Sequence, residues 1–220
     1  MNRLVITIGR QFGSGGREIG RKLAERFGID YLDKELLTLA AEKSGISEEI
    51  LARADEKPAS PFSFAARYPT ALAAGFVAPI NLHSAMTDDH LFSVQAAAIR
   101  EEAEKRNCII VGRCSDYIIG RKEYCVNVFV HAPLPWRVRR VAANYEITPE
   151  EAEKQIRRID KKRAAYYNFY TGKRWGDMDG YDLSVDVSTI GIDKTVQIIA
   201  DYAAVKVPDF RIEPRLEEEA

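Results

Sequence analysis

Leu4-Val-Ile-Thr-Ile8 runs into Gly9-Arg-Gln-Phe-Gly-Ser-Gly-Gly16, which opens directly into Arg17-Glu-Ile-Gly-Arg-Lys-Leu-Ala-Glu-Arg-Phe27. An apolar β-branched run, a glycine-rich loop and an amphipathic helix follow one another without a break. Closely spaced glycines let the backbone turn its N–H groups inward, and the helix that follows adds the positive end of its dipole. Such a loop is an anion cradle, and the usual anion is a phosphate. The stretch therefore predicts a phosphate or nucleotide site at the start of an α/β domain.

Two phosphate-loop patterns compete here, and neither fits completely. The P-loop, G-x-x-x-x-G-K-[ST], uses its lysine to reach the β/γ-phosphates and its hydroxyl to hold Mg²⁺. Aligned on Gly15, its first glycine falls on Arg10, its lysine on Gly16, and the next residues are Arg17 and Glu18. The dinucleotide fingerprint G-x-G-x-x-G begins at Gly13-x-Gly15 but meets Glu18 where its third glycine belongs; Asp33 does stand about twenty residues on, as that fingerprint asks. The degenerate P-loop is the preferred reading, with Arg10, Gly13, Ser14, Gly15, Gly16, Arg17 and Glu18 as phosphate-binding candidates. A glycine-rich turn without a ligand is the plain alternative.

The chain has 220 residues, enough for one α/β domain with a small subdomain. Lys+Arg at 32 against Asp+Glu at 33 leaves a net charge of −1, which argues against a general nucleic-acid binder. No stretch has the ~20 consecutive apolar residues of a membrane span, and a strand stands at the N-terminus where a signal peptide would be. Cys108, Cys114 and Cys125 lack C-x-x-C spacing. A reduced, cytoplasmic setting is expected. His83, His90 and His131 are scattered, so no metal site is expected from them.

Five strand-like runs alternate with helical ones: Leu4–Ile8, Ile29–Leu32, Cys108–Val111, Val126–Val130 and Leu183–Val187. Their unbroken apolar character suits a parallel sheet covered on both faces. Helical patterns span roughly Arg17–Phe27, Lys34–Ser44, Ser47–Ala54, Asp89–Arg106, Leu134–Asn144, Pro149–Tyr170 and Asp193–Ala203. Thr148-Pro149-Glu150-Glu151 reads as a capping box with Pro at N1. In such open sheets ligands sit beyond the carboxyl ends of the strands, where the glycine loop falls. Residues 55–88, with four prolines and several aromatics, read as an insert covering a substrate or meeting a second subunit. The tail at 208–220 is polar and ends Glu217-Glu-Glu219.

Basic residues gather at three further places. Arg113 follows Val111-Gly112 at a strand end. Arg137, Arg139 and Arg140 open a helix. Lys154, Arg157, Arg158, Lys161, Lys162 and Arg163 crowd one long helix. By itself such a run is a solvated face. Beside a phosphate cradle it takes on another meaning, because phosphoryl transfer is mostly positioning plus spread positive charge on a closing segment.

Taken together, these segments resemble the cytidylate kinase-like family of the nucleoside monophosphate kinase class. The carriers are Ile6–Gly20, Tyr31-Leu-Asp-Lys-Glu-Leu36, Val111-Gly-Arg-Cys114, Ala132-Pro-Leu-Pro-Trp-Arg137 and Asp160-Lys-Lys-Arg-Ala-Ala-Tyr-Tyr167 with Tyr170-Thr-Gly172. The resemblance implies a P-loop NTPase-like three-layer α/β fold with a central parallel five-stranded sheet. It implies one domain over residues 1–207, with the insert at 55–88 and a lid at about 154–175. The implied activity is Mg²⁺-dependent transfer of the ATP γ-phosphoryl group to CMP or a related acceptor. Small nucleotides are then the partners, with a homo-oligomer through the insert as a further expectation. By position, Arg113 matches the arginine of the G-R-D motif that contacts the acceptor, with Cys114 in place of its aspartate. Asp160 and Arg163 match the lid's D-x-x-R, whose contacts are acceptor sugar and phosphate, flanked by Arg157 and Arg158. Arg137 matches the arginine that reaches the transferring phosphate, and Asp33 the aspartate of an acceptor turn. Arg17 or Arg10 would supply the missing lysine's charge, and Arg17 is the first expectation, making Arg17, Arg137 and Arg163 the catalytic candidates. Three competitors stand beside this reading: a nucleotide binder without transfer, a kinase for another small molecule, and a dinucleotide oxidoreductase.

Overall fold

The computed structural model describes residues 3–54 and 82–210. Its elements are β1 (Val5–Arg10), α1 (Gly16–Phe27), β2 (Asp30–Leu32), α2 (Glu35–Ser44), α3 (Glu48–Ala54), α4 (Leu82–Lys105), β3 (Cys108–Val111), α5 (Ser115–Ile119), β4 (Cys125–His131), α6 (Leu134–Tyr145), α7 (Pro149–Thr171), β5 (Leu183–Asp186) and α8 (Val187–Lys206). The strands form one parallel sheet in the order β2-β3-β1-β4-β5. β1 is central: Ile8 pairs with Val111 on one side and Val128 on the other. The expected five-stranded α/β architecture is present.

Strand alternation divides the core between two helical layers. Ile6, Ile8, Ile109, Val111, Val126 and Val128 pack with Ile19, Leu23 and Phe27 of α1 and with Val196 and Ile199 of α8. On the opposite face Val5, Cys108, Ile110 and Cys125 meet Ala96, Ile99 and Ala103 of α4, Ile118 of α5, and Tyr166, Tyr167 and Tyr170 of α7. Because both faces are covered, the central stretches of the strands are largely apolar. Thr7 and Asn127 are exceptions, and they satisfy each other through a 2.6 Å hydrogen bond between neighbouring strands.

Local signals set most boundaries. α1 ends at Gly28 in the left-handed region, whose N–H closes on Ala24 and Glu25 carbonyls. The Thr148 capping box forms in both directions with Glu151, whose carboxylate is held below its ordinary pKa by the Thr148 backbone N–H. Several boundaries, and one element, differ from expectation. β1 runs on to Arg10, and α4 starts at Leu82 rather than Asp89. Val187 belongs to α8, which Asp186 caps and which kinks at Gly191. The five-residue α5 has too short a periodicity to stand out from sequence. The insert lies outside the described residues up to 81, and its last residues begin α4. Residues 211–220 of the tail also lie outside them. Among the described residues no helix is long and apolar enough to cross a membrane.

Candidate active site

Three loops meet at the carboxyl end of the sheet: residues 11–15 after β1, Gly112–Cys114 after β3, and the segment between β4 and α6. The first is held by its own geometry. Gly13 and Gly15 take positive φ of 81° and 88°. A Cβ on Gly13 would strike Val141 Cγ2 at 2.7 Å, and one on Gly15 would strike Ile192 Cδ1. Ser14, fully buried, donates its hydroxyl to the Gln11 carbonyl at 2.8 Å.

Beside this loop lies a cleft of about 300 Å³, lined by Arg10, Gly13, Gly15, Gly16, Arg17, Glu18, Arg21, Arg140, Tyr145 and Arg163 among others. Five arginines and one carboxylate, Glu18, around a glycine loop give the cleft a net positive wall. A second pocket, only about 20 Å³, lies against it. Gly9, Arg10, Gly112, Arg113, Cys114, Asp116, Arg163, Tyr166, Tyr167, Trp175 and Tyr181 line it. Arg10 and Arg163 belong to both walls. They form the boundary between the cleft and the pocket.

The small pocket is built from strained backbone and buried polar groups. Gly112, Arg113 and Cys114 follow one another at φ of 78°, 56° and 55°. For the two non-glycines this costs of order 1–2 kcal/mol each. The turn sends Arg113, 3% exposed, to the backbone carbonyl of Asp33 and within 3.6 Å of its carboxylate. Asp116, two residues beyond Cys114, accepts a 2.6 Å hydrogen bond from Tyr167. Burial raises the Asp116 carboxyl above the ordinary carboxylate range. Burial, and then the Asp116 charge, push the Tyr167 hydroxyl well up. Burial likewise raises Tyr181.

The expected residues divide into two groups. Arg10, Gly13, Gly15, Gly16, Arg17, Glu18, Arg113 and Arg163 do line the two cavities. Arg17, however, directs Nε to Asp33 at 2.8 Å, and Glu18 accepts from Arg140 at 2.5 Å. Arg137 and Asp160 line neither cavity. Arg137 donates to Ala132 O, Phe12 O and Asp160, and Asp160 also accepts from the Phe12 amide at 2.7 Å. They brace the loop against α7. Arg157 is exposed and pairs with Glu153 one turn back; Arg158 is exposed on the same outer surface. Of the basic run on α7, Arg163 is the member in the cavity walls, its guanidinium 5.8 Å over the Phe12 ring.

Sequence reasoning missed Asp116, Arg140, Tyr145, Trp175 and Tyr181. For Asp116 a signal existed: a carboxylate two residues from the position where the family aspartate is absent. The other four reach the cavities through tertiary packing. Among the described residues no cluster of three or more His, Cys, Asp or Glu is placed to hold a metal.

The sheet order and the glycine loop after β1 define a P-loop NTPase-like α/β protein with an arginine-lined cleft at the carboxyl end of its strands. The chain belongs to the cytidylate kinase-like family, whose model matches residues 5–189. It is 27% identical over 206 residues to a cytidylate kinase of Methanopyrus kandleri, covering 89% of this chain and 91% of that protein. It is 28% identical over 199 residues to a cytidylate kinase of Pyrococcus furiosus, covering 89% and 86%. A crystal structure of an uncharacterized protein from Eubacterium ventriosum superposes with a TM-score of 0.67 at 25% identity, covering 91% of this chain and 98% of that one.

Proposed function

We propose that this protein is a nucleoside monophosphate kinase-like phosphotransferase that moves the γ-phosphoryl group of ATP to CMP or a closely related acceptor. The observation that supports it most is the pair of adjoining cavities whose shared wall is Arg10 and Arg163. In-line transfer needs donor and acceptor on either side of a point of concentrated positive charge, and little else from the protein. The glycine loop and the arginines of the larger cleft suit a polyphosphate. The smaller pocket suits an acceptor with a flat ring, an anionic group and a hydrogen-bond donor, met by its four aromatics, by Arg113 and by Asp116. At about 20 Å³ the pocket must widen to admit one. Mg²⁺ fits as an ion carried on the phosphate oxygens, where it would neutralise charge; Glu18, the cleft carboxylate, would reach it only by releasing Arg140.

ADP release from ATP and Mg²⁺, measured over CMP, dCMP, UMP, AMP and GMP with an acceptor-free control, tests the reading. Acceptor-dependent release with CMP is the expected result; the same low rate with and without every acceptor rejects it. A second reading, nucleotide binding without transfer, draws support from two observations: Gly16 stands at the lysine position, and the Ser14 hydroxyl is committed to Gln11 O. Tight ATP binding with no turnover would select it. A kinase for another small molecule is favoured by Cys114 in place of aspartate, and turnover with a non-nucleotide acceptor would select that.

A further inference from the structure

The loop has no lysine at its last position, and the side chain of Arg10 lies against the glycine that stands there. Gly16, at the lysine position, lies directly beneath the side chain of Arg10. A Cβ on Gly16 would come within 2.7 Å of Arg10 Cβ and 3.0 Å of Arg10 Cγ. The two ends of the loop are therefore stacked, with room for one long side chain between them. In the usual P-loop the first position is glycine and the last is lysine. Here the first position is Arg10 and the last is Gly16, so glycine and cation have changed ends. Arg10 continues the side of β1 that carries Ile6 and Ile8, which points it toward α1. Arg10 is only 6% exposed, and it lines both the larger cleft and the smaller pocket.

Resting on the phosphotransfer reading above, we propose that Arg10 is the residue that contacts the transferring phosphate in place of the loop lysine, its side chain entering the site from the opposite end of the loop. Arg17, the first expectation for that role, is half-exposed and lines only the larger cleft, whereas Arg10 is buried and lines both cavities. Arginine forks two parallel hydrogen bonds onto phosphate oxygens, where lysine offers a point charge. The exchange thus alters the geometry of the contact while keeping the charge between donor and acceptor.

Isothermal titration of the full chain with inorganic tripolyphosphate, alongside ADP release with ATP and CMP, tests this. Arg10→Met keeps the stem over Gly16 and removes the charge; Arg10→Lys keeps both. Melting curves establish that each variant is folded. Arg10→Met is expected to weaken tripolyphosphate binding by about tenfold or more, since charge-assisted hydrogen bonds to an anion are lost. Arg10→Lys is expected to recover most of the affinity, and Arg17→Ala to weaken it less than Arg10→Met does. The exchange variant R10G/G16K, which clears the steric conflict, is expected to bind more tightly than Arg10→Met. Binding by folded Arg10→Met within twofold of wild type overturns the assignment, as does a greater loss in Arg17→Ala. Arg10-dependent tripolyphosphate binding without ADP release over any acceptor would leave the Arg10 contact standing and reject the kinase reading. Failure of the wild-type chain to bind tripolyphosphate would reject both.

Discussion

The amide of Phe12 donates to Oδ1 of Asp160 at 2.7 Å, joining the glycine loop to a helix 148 residues later in the chain. The other oxygen of Asp160 takes Arg137 at 2.6 Å, and Arg137 returns to the Phe12 carbonyl at 3.1 Å. One carboxylate and one guanidinium thus hold both sides of the same loop residue. Asp160→Ala leaves the buried Arg137 charge and the Phe12 amide without that acceptor, at a cost of about 3 kcal/mol. Denaturant titration should show that loss, and tripolyphosphate affinity should fall with it. Asp160→Asn, which keeps a carbonyl for Phe12, should be milder in both.

Asp116 should govern a pH dependence of stability. Burial raises its folded-state pKa above the unfolded value, so the folded chain holds this proton more tightly. The contribution is fully present below the ordinary carboxylate pKa and is lost as pH rises through the raised folded value. Unfolding free energies followed upward in pH from about 4, the ordinary carboxylate range, should decline in wild type more than in Asp116→Asn. Equal slopes in the two proteins would contradict the assignment. In the kinase assay, Asp116→Asn should raise the acceptor KM more than it lowers kcat.

Gly13 and Gly15 differ in what an added methyl would meet. At Gly13 the obstacle is Val141 Cγ2, on a β-branched side chain packed beneath the loop. At Gly15 it is Ile192 Cδ1, the far end of a flexible side chain. Both substitutions carry the left-handed backbone penalty, so Gly15→Ala should cost about 1–2 kcal/mol and Gly13→Ala about 3 kcal/mol. Thermal or denaturant unfolding gives the order directly, and the reverse order would mean that the loop, not Val141, gives way.

Arg163 and Arg157 belong to the same basic run yet face different surroundings. Arg163 lies in the wall shared by the two cavities, while Arg157 is exposed beside Glu153. Arg163→Ala should lower kcat by about 10²–10³-fold, the scale for removing one donor to developing charge. Arg157→Ala should leave turnover unchanged and stability within about 0.5 kcal/mol. Steady-state ADP release separates the two.

Much of the fold was legible because it is written locally. The apolar run at residues 4–8, the glycines at 13 and 15 and the amphipathic repeat to Phe27 fix a strand, a turn and a helix without reference to distant residues. The same holds for the Thr148 capping box, whose partners are three residues apart. The parallel sheet followed from strands apolar on both faces. The short α5 and the forward extension of α4 escaped because neither offers enough residues of clear periodicity.

The site was legible only in outline. Composition and spacing marked where cations gather, and three of the five arginines that line the cleft, Arg10, Arg17 and Arg163, were among the expected site residues. Which arginine faces the cleft was decided by packing. Arg137 and Arg140 are three residues apart on α6; one is consumed by Asp160 and two backbone carbonyls, and the other lines the cleft. Arg10 and Gly16 are separated by five residues in sequence, but the folded loop stacks them and leaves space for one side chain. Sequence determined that a glycine loop and a cluster of cations would lie at the carboxyl end of this sheet, because local turn and strand chemistry is enough for that. Only the tertiary structure decided which charges meet there, because a side chain's direction depends on what already fills the space around it.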